Sequence, residues 1–383
     1  MLRSLALIIL SVAANLATAE PIVVNCDGGQ SLNHALSKLD KRAPTTVWVK
    51  GTCAEYVLVS GFQGLTLKGL SGAALVAPAT SPNTGLLVTL LRIEASQGVV
   101  IDGFKIHSAA APGVGIGKGS IDVRLRNLTI EGGNFGIMAF ENSQVSIARV
   151  TARNPGYATV GLYDVSDVHI EDCLFEDTTG TMWHVGIDVG ASHVTLHGTI
   201  IRNMQIGINA SSGVIDVVDF NTYFPSGGPS DVVIESPGGT NFHGVAIRGG
   251  SSLNLGSAKL RIPNPGQPWG GDTGGLLISD GSTLDAGANL VVSGSQGQGV
   301  FVTNDSHASL DGSEITGSQH GGLVVANLST LSVGSLTPPT EVRGNGTDLF
   351  CDSKSLISGG ANIAGAAHVQ CSNLLAGDSV PLP

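Results

Sequence analysis

The chain has 383 residues, a formal net charge of -11, 54 glycines, five cysteines, 13% charged residues and 42% hydrophobic ones. An acidic chain without a basic run repels phosphate backbones, which excludes nucleic acid as a partner. Scarce Lys and Glu exclude long solvated helices, and a glycine excess without a Gly-X-Y period implies many tight turns between short strands.

Residues 1–19 read as a secretory signal peptide: Arg3, an apolar run from Leu5, then Ala17-Thr18-Ala19, the small-x-small pattern that signal peptidase accepts. The run is too short to span a bilayer. No later apolar stretch reaches spanning length without glycine or charge, so the mature chain is expected to be secreted, extracellular or periplasmic, and not membrane-integral.

Residues 20–45 are expected to form an N-terminal cap. In "SLNHALSKLDK", Leu32, Ala35, Leu36 and Leu39 share one helical face behind Ser31 as N-cap. Such a helix covers the open end of a stack of strands. In an exported chain the cysteines predict two local disulfides, Cys26 with Cys53 and Cys351 with Cys371. Cys173 is left over; at an inward strand position it reads as a small buried hydrophobe rather than a reactive thiol.

From Gln97 the chain divides into consecutive units, 97–119, 120–142, 143–165, 166–191, 192–213, 214–250, 251–281, 282–305, 306–328 and 329–352, with insertions in 214–250 and 251–281. Each opens with an alternating strand ("DVRL", "QVSI", "DVHI", "HVTL"), turns a corner into a second apolar piece, and ends in a third strand built on Gly plus an apolar residue ("GIMAF", "GIDVG", "GINAS", "GVAIR"). Strands this short cannot close a core alone. Stacked in parallel, each unit buries its inner residues against the next. The expectation is an all-β solenoid, a parallel β-helix of about 11–12 rungs over residues 46–371, with the capping α-helix before it and a short tail at 372–383.

"VVNCDGGQSLNHALSKL", "VWVKGTCAEYVLV", "LTLKG" and the repeated units together resemble the secreted right-handed parallel β-helix proteins of the pectin lyase-like superfamily, over nearly all the mature chain. That resemblance implies polysaccharide lyases, hydrolases, epimerases and esterases, but also adhesins and members without activity, because a fold does not fix a function.

In a parallel strand side chains alternate, so residues flanking an inward position stack into exterior rows. With Ile116, Ile137, Leu162, Ile187, Ile208 and Val245 taken as inward, the preceding Gly115, Gly136, Gly161, Gly186, Gly207 and Gly244 form either an outward furrow open to a flat ligand or a steric need at a bend. The following row contains Tyr163, Asp188 and Asn209, and the row three before contains Thr159, His184 and Gln205, so polar groups gather on three successive rungs. Trp183 and Trp269 in the loops, with Tyr157 and Phe242, either stack a sugar face or pack the loops.

Three chemistries fit the set to different degrees. Elimination from a uronic acid requires a base, for which Tyr163 or His184 qualifies, and neutral donors such as Asn209 or Gln205. Hydrolysis requires two carboxylates, Asp188 with Asp164 or Glu141. No Asp-x-Asp cluster offers a calcium site, His169, His193 and His197 stand away from the furrow as solvated side chains, and neither metal nor cofactor is expected. The polygalacturonase-type motifs are absent: "WHVGIDV" has only the spacing of Asn-x-Asp, and "QHGG" is not Gly-His-Gly. The triplets at Asn127, Asn209, Asn327 and Asn345 match glycosylation sequons.

The reading is a secreted parallel β-helix that binds an extracellular polysaccharide or cell-surface glycan. Candidate catalytic residues are Tyr163, His184 and Asp188; candidate substrate-binding residues are Thr159, Trp183, Gln205, Asn209 and Trp269. Binding is favoured over lyase or hydrolase turnover, and the alternative is a non-catalytic structural or adhesive envelope protein.

Overall fold

The computed structural model describes residues 22–79, 88–180, 184–219, 230–235, 243–266, 274–334 and 338–375. Residues 1–19, expected to be a signal peptide, and Trp183, Phe242 and Trp269 lie outside these residues. Three parallel sheets run along the chain: a first of 15 strands and a second and third of 13 each. Every turn contributes one strand to each sheet in the order first, second, third, and pairs with its counterpart one turn away. Among the described residues this gives about 13 turns of parallel β-helix, all-β apart from short helical pieces.

The interior is built from columns of aligned apolar side chains. In the third sheet Val114, Ile137, Val160, Ile187, Ile208, Val245, Leu276, Val300 and Leu323 follow one another in register, all fully buried. Alternation produces this: each strand offers an apolar residue at every second position, and one turn's inner surface is covered by the next.

The column corrects two expected alignments: Ile116 does not lie over Ile137, since Val114 does and Ile116 pairs with Ala139. Leu162 does not lie over Ile187; Val160 does, and Leu162 pairs with Val189. The strand Ala158–Tyr163 is thus displaced by two residues from the sequence alignment, which keeps inside and outside but changes which outward residues are neighbours.

At the N-terminal end the helix Leu32–Ser37 buries Leu32 and Leu36 against the first turns. Ser31 caps it, its hydroxyl accepting from the His34 backbone N–H at 3.2 Å. Glu55 accepts from the Leu32 N–H at 2.6 Å and the Ser31 hydroxyl at 2.8 Å, tying the helix to the second turn. Cys26–Cys53 and Cys351–Cys371 are both bonded, one near each end of the stack. Cys173 is buried, and burial pushes its thiol up to about 12, so it packs as a hydrophobe.

Candidate functional site

Glycine decides the geometry at the entrance to most of the central third-sheet strands. A side chain at Gly136, Gly186, Gly207 or Gly244 would point inward, into the carbonyl of the residue aligned with it in the next turn and into a core side chain of the second sheet. For Gly186, Gly207 and Gly244 that side chain is Ile201, Ile234 or Ile262. These glycines therefore answer a steric need at the bend, and no outward glycine furrow exists through them.

Thr159 occupies this inward position in its own turn. It is fully buried and its hydroxyl has no hydrogen-bond partner among the described residues, so the expected sugar contact from Thr159 is corrected to an interior residue. The loop-to-strand bend reverses the facing that simple alternation assigns to it.

The true outward row of the third sheet is Gly115, Met138, Gly161, Asp188, Asn209 and Ala246. A second outward row, two residues further, is Gly117, Phe140, Tyr163, Gly190, Ser211 and Arg248. Glycine in either row leaves a space that a neighbouring side chain fills, Thr89 at Gly115 and an aromatic ring at the others. Phe140 lies over Gly117, Phe135 over Gly161, and Tyr163 leans against Gly190.

Leaning this way brings Tyr163 to Asp188 by reach rather than by register. The Asp188 Oδ2 accepts from the Tyr163 hydroxyl at 2.6 Å and from the Tyr157 hydroxyl at 3.2 Å, while its Oδ1 accepts from the Asn209 amide at 2.7 Å. Phe135 meets both tyrosines edge-on, with ring centroids 5.4 Å from Tyr157 and 6.3 Å from Tyr163. Asp188 is nearly buried under these groups, whereas Tyr157 is 41% exposed. None of the ion pairs among the described residues involves Asp188.

Burial and the adjacent Asp188 carboxylate raise both phenols above the ordinary tyrosine range. A phenol so placed stays protonated and donates. That removes the expected role of Tyr163 as a proton-abstracting base and makes it a positioning donor for Asp188.

His184 does not face Asp188 across the strand. It is buried, with Nδ1 3.0 Å from Asp177 Oδ2, and Asp177 in turn accepts from the Thr179 backbone and hydroxyl at 2.8 and 2.6 Å. Gln205, half-buried, lies one turn on, its backbone N–H donating to the His184 carbonyl at 2.9 Å. Neither carboxylate expected beside Asp188 is among its hydrogen-bond partners. Glu141 accepts from the Lys118 backbone N–H at 2.8 Å, and Asp164 is exposed at the corner beyond Tyr163.

The first-sheet histidines stand away from the third-sheet face as expected, His169 exposed and His193 half-buried, but His197 is buried rather than solvated. His193 bridges Asp216 at 2.8 Å and Asp167 at 3.6 Å, His169 meets Asp167 at 3.1 Å, and His197 is buried with Nδ1 3.1 Å from the Val218 carbonyl. All four sequon asparagines donate internal hydrogen bonds through their amides, Asn127 and Asn327 at exposed positions and Asn209 and Asn345 at less exposed ones.

Sequence reasoning missed Phe135 and Asp177. Alternation does place Phe135 outward beside inward Gly136; nothing local aims Asp177 toward His184. Among the described residues no helix is long and apolar enough to cross a membrane.

The model of the right handed beta helix region family matches residues 88–223. No curated protein sequence matches the chain. Among solved structures, the catalytic unit of a GH87 alpha-1,3-glucanase from Streptomyces thermodiastaticus is 14% identical, with a TM-score of 0.49 over 92% of this chain and 70% of that one. A periplasmic alginate epimerase is 14% identical, with a TM-score of 0.42 over 92% and 83%. A family 28 exopolygalacturonase from Yersinia enterocolitica is 11% identical, with a TM-score of 0.36 over 94% and 79%.

Proposed function

We propose, from the premise that the chain is a right-handed parallel β-helix of the pectin lyase-like fold, that it binds an extracellular polysaccharide on the outer face of its third sheet, at Asp188. One observation carries this reading: a nearly buried carboxylate held, among the described residues, by three neutral donors and no cation, beside exposed aromatic surface. Among the other buried carboxylates of the described residues, Glu94 and Glu176 pair with arginine and Asp177 with His184, whereas Asp348 is held by backbone and amide N–H groups; Asp188 stands on the outer row beside exposed rings, where a ligand's hydroxyls add to its hydrogen bonds. Tyr157 and Phe135 supply the apolar face against which a sugar ring stacks.

Binding is favoured over turnover. Both Asp188 oxygens are already engaged by donors and the two tyrosines are held protonated, so neither Asp188 nor these phenols stands as a free base. The acidic balance of the chain favours a neutral or basic glycan. The two disulfides support an extracellular or periplasmic location, in keeping with the leader expected at residues 1–19.

The test is a glycan-panel screen on the mature protein, with absorbance monitoring for unsaturated uronate, repeated on Tyr157→Ala. The expected result is a bound glycan, no absorbance rise, and weaker binding by Tyr157→Ala. A second reading, a structural or adhesive rod, draws on the same saturation of Asp188 by its own neighbours. Failure of wild type to bind any glycan decides for the rod.

A further inference from the structure

A second opening lies on the same outer face, toward the C-terminal end of the stack. The outward row that contains Asp188 continues through Asn209, Ala246, Leu277, Phe301 and Val324 to Phe350. That is six strands on, roughly 29 Å along the axis at about 4.8 Å per strand. Here a cavity of about 460 Å³ is lined by Gln298, Gln319, His320, Val324, Thr347 and Phe350, with two glycines between them. Its volume falls within the range of small-molecule sites, roughly 300 to 1,000 Å³.

Three properties define what fits. Phe350 is a large hydrophobic side chain left 37% exposed, offering a ring face on the outer row. The Gln298 Oε1 is buried and has no hydrogen-bond partner among the described residues, an acceptor that in a closed interior would carry a desolvation penalty. Among the described residues no Asp, Glu, Lys or Arg lines the cavity, while Gln319, His320 and Thr347 place further polar groups around it. A ring with one apolar face and hydroxyl groups at its edge satisfies all three: the C–H face stacks on Phe350 and a hydroxyl donates to Gln298 Oε1.

We infer that this cavity is a second carbohydrate site, selective for an uncharged sugar unit, and separate from the Asp188 cluster. An anionic sugar finds no cation in it, so charge sets the specificity. The inference stands whether or not Asp188 binds a glycan.

The experiment titrates the mature protein calorimetrically with neutral hexaoses, namely β-1,4-, β-1,3-, α-1,4- and α-1,3-linked glucose and β-1,4-linked mannose, and with hexagalacturonate. At least one neutral hexaose is expected to bind. Phe350→Ala and Gln298→Ala are each expected to weaken that binding by about tenfold, the loss of a stacking platform or of a hydrogen bond to a buried acceptor. Asp188→Asn keeps this component, which separates the two sites. His320→Ala, at an exposed position, repeats the test without touching the packed rows and is also expected to weaken binding. The inference is overturned if no neutral hexaose binds, if hexagalacturonate binds equally well through Phe350, or if all three substitutions leave affinity unchanged.

Discussion

The second and third sheets solve the problem of stacking identical turns in opposite ways. On the outer face of the second sheet, one row reads Glu131, Arg153, Glu176, Arg202 and Glu235, alternating in charge from turn to turn. Arg153 reaches Glu176 at 2.5 Å, and Arg202 reaches Glu235 at 2.8 Å and Glu176 at 3.9 Å. In-register stacking puts aligned residues about 4.8 Å apart, where like charges repel, so alternation is the arrangement that stability requires. On the third sheet the row through Asp188 has no such alternation. Its single carboxylate sits among Met138, Gly161 and Asn209, held only by hydroxyl and amide groups. The difference separates a row that holds the coil together from one that departs from the rule locally, which is where function is expected.

The inner faces differ as well, and this gives the largest expected effect. Second-sheet isoleucines fill the space that third-sheet glycines leave open. Gly207→Ala puts a methyl into the Ile234 side chain and the Gly244 carbonyl, and a backbone group cannot swing aside. Unfolding in urea should show a loss of about 3 kcal/mol, at the upper end for overpacking. Gly161→Ala, on the outer row, meets only rings that can turn away, Phe135 above all, and should lose about 1 kcal/mol or less while disturbing the contacts around Asp188.

Next comes the ion ladder. Arg153→Ala with Arg202→Ala strands the nearly buried Glu176 without a cation and should lower stability by about 2 kcal/mol by the same measurement. Adding Glu176→Gln to that pair should restore part of the loss. If the double variant is as stable as wild type, the row is ordinary solvated surface and the contrast between the sheets fails.

A smaller effect is expected from Tyr163. Its ionisation is raised in the folded chain by burial and by Asp188, so the neutral phenol contributes stability that is fully present below the unfolded value, near 10, and is lost as pH rises beyond it. The urea midpoint of wild type should therefore fall above about pH 10 more steeply than that of Tyr163→Phe. Smallest of all, Cys173 should stay unmodified by a thiol reagent at neutral pH until the chain unfolds, because burial raises its thiol and closes access.

Much of the fold was legible because it depends on periodicities that sequence displays directly. Alternation within strands, a recurring unit and paired terminal cysteines led to the solenoid, its helix Leu32–Ser37 and both disulfides. The candidate site was legible only where register could be read. Asp188 and Asn209 are aligned neighbours as expected, since both strands carry Gly-Ile-polar at the same place. Tyr163 was aligned two residues out, because Gly161 was matched to Gly186 when the position belongs to Thr159; a two-residue slip leaves the burial pattern intact and so gives no warning. Thr159, the second residue of its strand, and His184, just before its own, face differently from expectation because alternation does not hold where the loop bends into the strand. Side-chain reach, such as Tyr157 to Asp188 or Asp177 to His184, has no signature in spacing at all.

The most direct measurement of the central claim pairs glycan affinity with unfolding free energy for wild type and Asp188→Asn. Removing a carboxylate that lacks a countercharge should leave stability unchanged or raise it by up to about 1 kcal/mol, while affinity for the glycan held at this cluster falls by about tenfold or more. A variant that loses stability as a broken ladder pair does, yet binds glycan as wild type does, would contradict the account and make Asp188 one more structural group.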